Sequence, residues 1–295
     1  MSAADPIDLR FRGFERAVGC YLIDTPDGPV LHDCGSTSSI PVLKEALAAR
    51  GLQLQDVDHL LLSHIHLDHA GAAGALVRVH PGLQVWLSEI GAPHLIDPTK
   101  LESSARRLYG DNMDWFGEIV PVPERNIAIV TDEVVGLECF PIPGHASHHV
   151  CYFDRRDGTL YPGDTAGVRI LPAKHVAPLC PPPDVDLDAW HRSLDAMELR
   201  GPKQLALIHF GVVTDIWAHF ERTRRALFLW GTRVRSGADE ESFVEAALED
   251  ARKDPELDID ALDGPAPIRL SYLGLKRYWD KQAEAVAESS GNELS

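Results

Sequence analysis

The sequence predicts an α+β fold in which short apolar strands carry polar side chains to a common rim and helices cover the outside. Three observations lead there. The run 59–63 (His-Leu-Leu-Leu-Ser) has the length and composition of a buried strand, and it ends in His64-Ile65-His66-Leu67-Asp68-His69. Further short apolar runs recur as far as residue 208, separated by Gly, Pro and Asp turn residues. From Ile216 the apolar spacing changes to three and four (Ile216, Phe220, Thr223, Leu227, Trp230, Val234), which is helical.

The elements follow in order. Residues 17–24 and 29–33 read as two strands joined through Pro26-Asp27-Gly28, a hairpin sequence. Residues 40–50 have helical spacing and stop at Gly51. After the strand 59–63, the small residues 70–76 open a closely packed helix, and 84–88 is another short strand. Residues 94–125 interrupt the alternation as helical segments with no strand after them. Their aromatic members Tyr109, Trp115 and Phe116, with Met113, are expected to wall a pocket or to pack the insertion onto the core. Strand-like runs return at 134–140, 149–154 and 159–162. A proline-dense loop, 172–183, precedes a helix near 187–199 and a strand at 204–208. Helical patches at 239–252 and 270–287 follow the helix that begins at 216, and the last seven residues form a polar tail. The helices after 216 are expected to help wall the same pocket.

Composition sets limits. Hydrophobic residues make up 44% of the 295 and charged residues 25%, enough apolar material for a sizeable core. The net charge of −17 argues against nucleic acid or an anionic membrane as partner, because phosphate binding needs Lys and Arg. No stretch reaches the roughly 18 apolar residues of a spanning helix, and Met1 to Pro6 lacks the basic and apolar parts of a signal peptide. The five cysteines (Cys20, Cys34, Cys139, Cys151, Cys180) are scattered and read as buried small residues in a reducing cytoplasm. A small-molecule substrate is expected, and a second copy of the chain is the one protein partner left open.

The chemistry concentrates at strand ends. Period-2 geometry points His64 and His66 to one side, while Asp68 and His69 follow a turn and suit a neighbouring centre. Three later strand ends each bring a single candidate: His145 after Pro141-Ile142-Pro143-Gly144, Asp164 after Leu160-Tyr161-Pro162-Gly163, and His209 after Leu205-Ala206-Leu207-Ile208. Gly144 and Gly163 allow close approach of the backbone. If these positions share a site, His64 and His145 must lie within about 7 Å, since zinc–nitrogen bonds are near 2.1 Å.

HIHLDH (64–69), PGHASHH (143–149), GDT (163–165) and IHFG (208–211) together resemble the metallo-β-lactamase-fold hydrolases, and within them the glyoxalase II and lactonase-like branch. The resemblance implies a four-layer αβ/βα sandwich, two mixed sheets face to face with helices outside. It divides the chain into a hydrolase domain at 1–235, including the insertion 94–125, and a C-terminal helical extension at 236–295. It assigns His64, His66 and His145 to a first metal and Asp68, His69 and His209 to a second, with Asp164 bridging. Asp68 doubles as the group that orients the attacking water, His149 stands behind the ligands, and Asp33 supports them from a strand end. His148 replaces a glycine common in the motif.

Imidazole and carboxylate without thiolate suit two divalent ions, zinc foremost, with iron or manganese as alternatives. Two such ions less Asp68, Asp164 and a bridging hydroxide leave about one positive charge, which favours an anionic transition state. The implied activity is attack by that hydroxide on a carboxylic ester, thioester or lactone carbonyl. A phosphodiesterase and a mononuclear iron dioxygenase acting on a thiol or persulfide are the alternatives. Arg222, Arg224, Arg225, Arg233 and Arg235, on one helix, read as a solvated basic face rather than a glutathione site.

Overall fold

A computed structural model describes residues 5–259, 262 and 268–292 of the protein. The first four residues and the closing residues 293–295 of the expected polar tail lie outside them. Among the described residues, twelve strands form two six-stranded sheets whose spatial order follows the chain. The first holds β1 (Ile7–Asp8), β2 (Gly19–Thr25), β3 (Gly28–His32), β4 (His59–Leu61), β5 (Gln84–Leu87) and β6 (Ile127–Ile129). The second holds β7 (Glu133–Val134), β8 (Leu137–Pro141), β9 (Val150–Asp154), β10 (Thr159–Tyr161), β11 (Gln204–Leu207) and β12 (Gly211–Val213). Both are mixed. β1–β3 pair antiparallel and β3–β6 parallel; in the second sheet only β10 and β11 run parallel.

Nine helices are assigned among the described residues: α1 (Ile40–Ala48), α2 (Leu67–Ala70), α3 (Ala73–Val79), α4 (Ala92–Ile96), α5 (Thr99–Tyr109), α6 (Leu187–Glu198), α7 (Ile216–Arg235), α8 (Glu240–Arg252) and α9 (Ile268–Asn292). The second sheet shows why the layers stack as they do. Along β9–β11, Tyr152, Tyr161 and Ala206 join the core shared with the first sheet, whereas Cys151, Phe153, Leu160, Leu205 and Leu207 join a second core with Trp190, Phe220, Leu227 and Phe243 of the helices. Alternate residues of a strand face opposite ways, so this sheet is buried on both faces, against its partner sheet and against α6–α8. The sandwich expected from the sequence is the observed architecture.

Two expectations about the chain's course are corrected. A strand does follow the insertion: β6 adds parallel to β5 through Val85↔Ile127, so 94–125 is the helical crossover between neighbouring parallel strands. β6 is a three-residue edge strand with no fully buried residue, too short for periodicity to mark. β12, likewise three residues, intervenes between the strand at 204–207 and the helix at 216. No helix among the described residues is long and apolar enough to cross a membrane.

Candidate metal centre

Parallel β3 and β4 end side by side, and the chain leaving each turns over the sheet edge. Asp33, directly after β3, is fully buried with a left-handed backbone at φ 56°. Its carboxylate accepts from the Ser63 amide (2.8 Å), the Ser63 hydroxyl (2.8 Å) and His69 Nδ1 (2.8 Å). That ties the end of β3 to the loop after β4 and to α2, which carries Asp68 and His69. Two tyrosines close the rim between sheets. Tyr21 of β2 donates to the Leu207 carbonyl (2.8 Å) and Tyr152 of β9 to the Leu62 carbonyl (3.0 Å), in each case two residues before a histidine of the site, His209 and His64. Ser63, Tyr21 and Tyr152 escaped the sequence reading. The available signal was a hydroxyl within an apolar strand, which must find a buried partner.

On the opposite rim, the turn Gly163–Ala166 presents Asp164. Its Gly163 has φ 48°, and a Cβ there would stand 2.6 Å from the His149 ring. Gly144 is as constrained, with an added Cβ 2.4 Å from Trp190 Cα. Both glycines therefore serve the close approach expected of them. The turn's carbonyls are held from behind: Trp190 Nε1 donates to Thr165 O (2.7 Å), and His219 Nε2 (2.9 Å) and Thr223 Oγ1 (3.2 Å) of α7 donate to Ala166 O. His149 accepts from the Asp164 amide at Nε2 (3.1 Å), donates from Nδ1 to Val150 O (3.1 Å) and stacks on His64 at 4.6 Å. It touches the Asp164 backbone and the face of the His64 ring.

Seven side chains converge in two adjoining groups. His64, His66, His145 and Asp164 form one, and Asp68, His69 and His209 the other, the donor atoms of each lying within 4.8 Å of one another. The rings of His64 and His145 are 4.9 Å apart, inside the limit expected. Asp164 reaches both groups, with Oδ2 3.5 Å from His145 Nε2 and Oδ1 3.1 and 3.3 Å from Nε2 of His69 and His209.

The tautomers disclose what this cluster can hold. Nδ1 of His69, His145 and His209 each meets an oxygen acceptor: Asp33, the Leu179 carbonyl (2.7 Å) and the Ala17 carbonyl (2.6 Å). A ring that donates from Nδ1 turns an unprotonated Nε2 inward. His64 Nδ1 lies 3.0 Å from Ser63 Oγ, whose own proton goes to Asp33, so this ring too presents a bare Nε2. His66 Nδ1 then stands 2.8 and 2.9 Å from two bare nitrogens, those of His64 and His145. One ring proton cannot serve both, whereas a cation shared by three lone pairs satisfies all of them. Asp164 Oδ1, buried and with no well-aligned hydrogen bond, fits the same account. The donor set fits divalent metal.

The electrostatics agree. Burial holds His64, His66, His145 and His149 below the ordinary imidazole range, so their neutral forms prevail. At His69 burial works the same way, but Asp164, Asp68 and Asp33 together outweigh it and raise the group well above that range. Three carboxylates thus demand positive charge at His69, and a divalent ion there answers the same field. Burial opposes ionisation of Asp33, yet His32, His69 and the Ser63 amide hold its carboxyl down at about 2.

A cavity of about 310 Å³ opens above His66, Asp68, His145 and Asp164. One wall is α5, the other the loop around Leu179 and Pro181–Pro183; Tyr109 and His148 also face it. His148 is buried, burial pushes it down to about 4, and its Nδ1 has no partner. The insertion does wall the pocket, though not with the aromatic cluster as a whole. Only Tyr109 reaches the cavity. Phe116 and Met113 are buried in the first core, Phe116 meets Phe11 and Tyr109, and Arg12 lies over the Trp115 ring at 3.5 Å. The helices after 216 contribute nothing to the wall among the described residues; α7 instead props the Asp164 turn. Three of its arginines are paired with carboxylates, Arg222 with Asp215, Arg224 with Asp195 and Glu198, and Arg233 with Asp250.

Fold and site define a class. The chain belongs to the metallo-β-lactamase superfamily, whose profile matches residues 13–209. It is similar to the metallo-beta-lactamase family protein TTHA1429 from Thermus thermophilus, with a TM-score of 0.66 at 22% identity over 92% of this chain and 89% of that one. An N-acyl homoserine lactonase of Bacillus thuringiensis is 25% identical over 162 residues, 46% of this chain and 57% of that protein. A hydroxyacylglutathione hydrolase of Aeromonas hydrophila is 33% identical over 125 residues, 42% of this chain and 38% of that protein. The chain aligns with 63% or less of the length of the curated relatives it matches.

Proposed function

We propose that this protein is a dinuclear metal-dependent hydrolase of carboxylic esters, thioesters or lactones. The observation that carries the reading is the pair of donor groups, sharing Asp164, at the floor of a largely apolar cavity. His64, His66 and His145 would hold one ion and Asp68, His69 and His209 the other, with Asp164 common to both. Imidazole and carboxylate donors suit zinc, and iron or manganese as well; Cys34, which follows Asp33, is buried and directed at the His69 carbonyl. Bound ions supply Lewis acidity, lowering the pKa of a water and polarising the carbonyl it attacks.

The chain's residues do the rest. Asp68 keeps 15% of its side chain exposed, against 3% for Asp164, and lines the cavity. It is the carboxylate able to orient a water and accept its proton. His149 fixes Asp164 by taking its amide proton, which makes it a positioning residue. The apolar walls exclude water from the reacting carbonyl, strengthening every charge interaction at the floor. A small neutral or singly charged carbonyl compound suits this cavity better than a nucleic acid suits a chain of net charge −17.

The test is metal analysis of protein purified without added metal, paired with a panel of thioesters, lactones and phosphodiesters. Two ions per chain and turnover of carbonyl substrates are expected. One iron per chain with oxygen uptake on a thiol or persulfide, or turnover of phosphodiesters alone, would refute the reading.

A further inference from the structure

We infer that the cavity is built for an unbranched acyl chain of medium length, so that the substrate of the proposed reaction is a medium-chain acyl ester, thioester or lactone. The inference rests on that reaction for the identity of the head group and on the cavity for the chain. Leu101, Ala105 and Leu108 of α5 all line it. Their spacing of four and three sets them in one stripe along the helix. Leu179, Pro181 and Pro182 supply the facing wall, and the donor groups sit at the base. Lys100, Ser104 and Arg107 of α5 also border the cavity, and Arg107 is bonded to Ser103 at 3.1 Å, so the apolar stripe is flanked by polar residues.

The shape of the site sets the chain length. Leu101 and Leu108 stay half-buried on a helix that otherwise exposes its polar face, and the cavity is what they face. About 310 Å³ lies at the lower end of small-molecule sites, which run from about 300 to 1,000 Å³. That suits a chain of a few methylenes beyond the carbonyl. A carboxylate product with its head at the metal floor would lay its chain along α5.

Calorimetric titration of the zinc-loaded protein with straight-chain alkanoates from acetate to decanoate tests this without relying on turnover. Affinity is expected to rise about fourfold per added CH₂, the equivalent of about 0.8 kcal/mol, and to level off once the groove is full. Ala105→Leu should bring the levelling to shorter chains, and Leu108→Ser should flatten the rise, both at unchanged metal content. Equal affinity from acetate to decanoate, no binding of any member, or a rise that neither substitution alters would overturn the inference. The wild-type series decides the matter if a variant fails to fold. Matching p-nitrophenyl esters separate the two claims. Chain-dependent binding without hydrolysis of any ester would sink the hydrolase reading and leave the groove, whereas hydrolysis with flat alkanoate binding would do the reverse.

Discussion

Asp33→Asn is the sharpest single perturbation of the centre, because it changes one oxygen to an NH₂ and almost nothing else. Position 33 has a left-handed backbone, φ 56°, which asparagine tolerates as well as aspartate does, so backbone strain is not at issue. The amide oxygen can keep the Ser63 amide bond, but the NH₂ then faces two donors, the Ser63 hydroxyl and His69 Nδ1. The hydroxyl can rotate. His69 must lose its bond or move its proton to Nε2, the nitrogen directed at the second donor group. The size of the effect follows from the carboxylate itself. Its folded pKa of about 2 against the usual 3.8 corresponds to roughly 2 kcal/mol of stabilisation of the charged form, and the group is fully buried, so solvent screening does not reduce it. Because that pKa is lowered, the stabilisation is present above pH 3.8 and lost as the pH falls towards 2. We expect the variant to lose about 2 kcal/mol by urea denaturation at pH 7. It should also bind one of two metals about 10–100-fold more weakly, the usual effect of removing a hydrogen-bond partner of a ligating histidine. Competition with a graded chelator, read by elemental analysis, resolves the two sites. Equal weakening of both metals, or two metals held as in the wild type with unchanged stability, would refute the account of His69.

Asp164→Ala should lose metal and activity together, since that carboxylate reaches both groups; full occupancy of both sites would show the assignment is wrong. His149→Ala, which removes the acceptor of the Asp164 amide proton and the ring stacked on His64, should cost about 10–100-fold in metal affinity without abolishing either site. Phe116→Ala should destabilise by about 3–5 kcal/mol, as for a buried aromatic; a folded variant with altered KM and unchanged stability would contradict its placement in the core. Burial holds His219 neutral, its pKa pushed down to about 4 from 6.5. Its contribution is therefore full above pH 6.5 and lost as the pH falls through 4, amounting to about 3 kcal/mol for the complete shift. His219→Gln should remove that part of the pH dependence from urea denaturation midpoints between pH 7 and 4.5, and an unchanged slope would count against it.

Much of the centre was legible along the chain because ligands are costly to place by accident. HIHLDH follows an apolar strand, and His145, Asp164 and His209 each stand where an apolar run ends, so type and position could be read locally. β8, β9 and β11 of the second sheet and α7 were legible for the same reason, their apolar residues recurring over a usable length. β6 and β12 were not, being three residues long and stabilised by the neighbour they pair with. Nor could the sequence say that α7 props the Asp164 turn through His219 and Thr223, or that Trp115 and Phe116 belong to the core while Tyr109 faces the cavity. All three aromatics have the same hydrophobic character, and only the packing of the insertion against Phe11 and Arg12 separates them. The proton positions on His64, His69, His145 and His209 are set by Ser63, Asp33, Leu179 and Ala17, up to 192 residues away in the chain. A sequence determines which residues can bind a metal; which lone pairs point at it is decided by oxygens that only the folded chain brings to the rings' far sides.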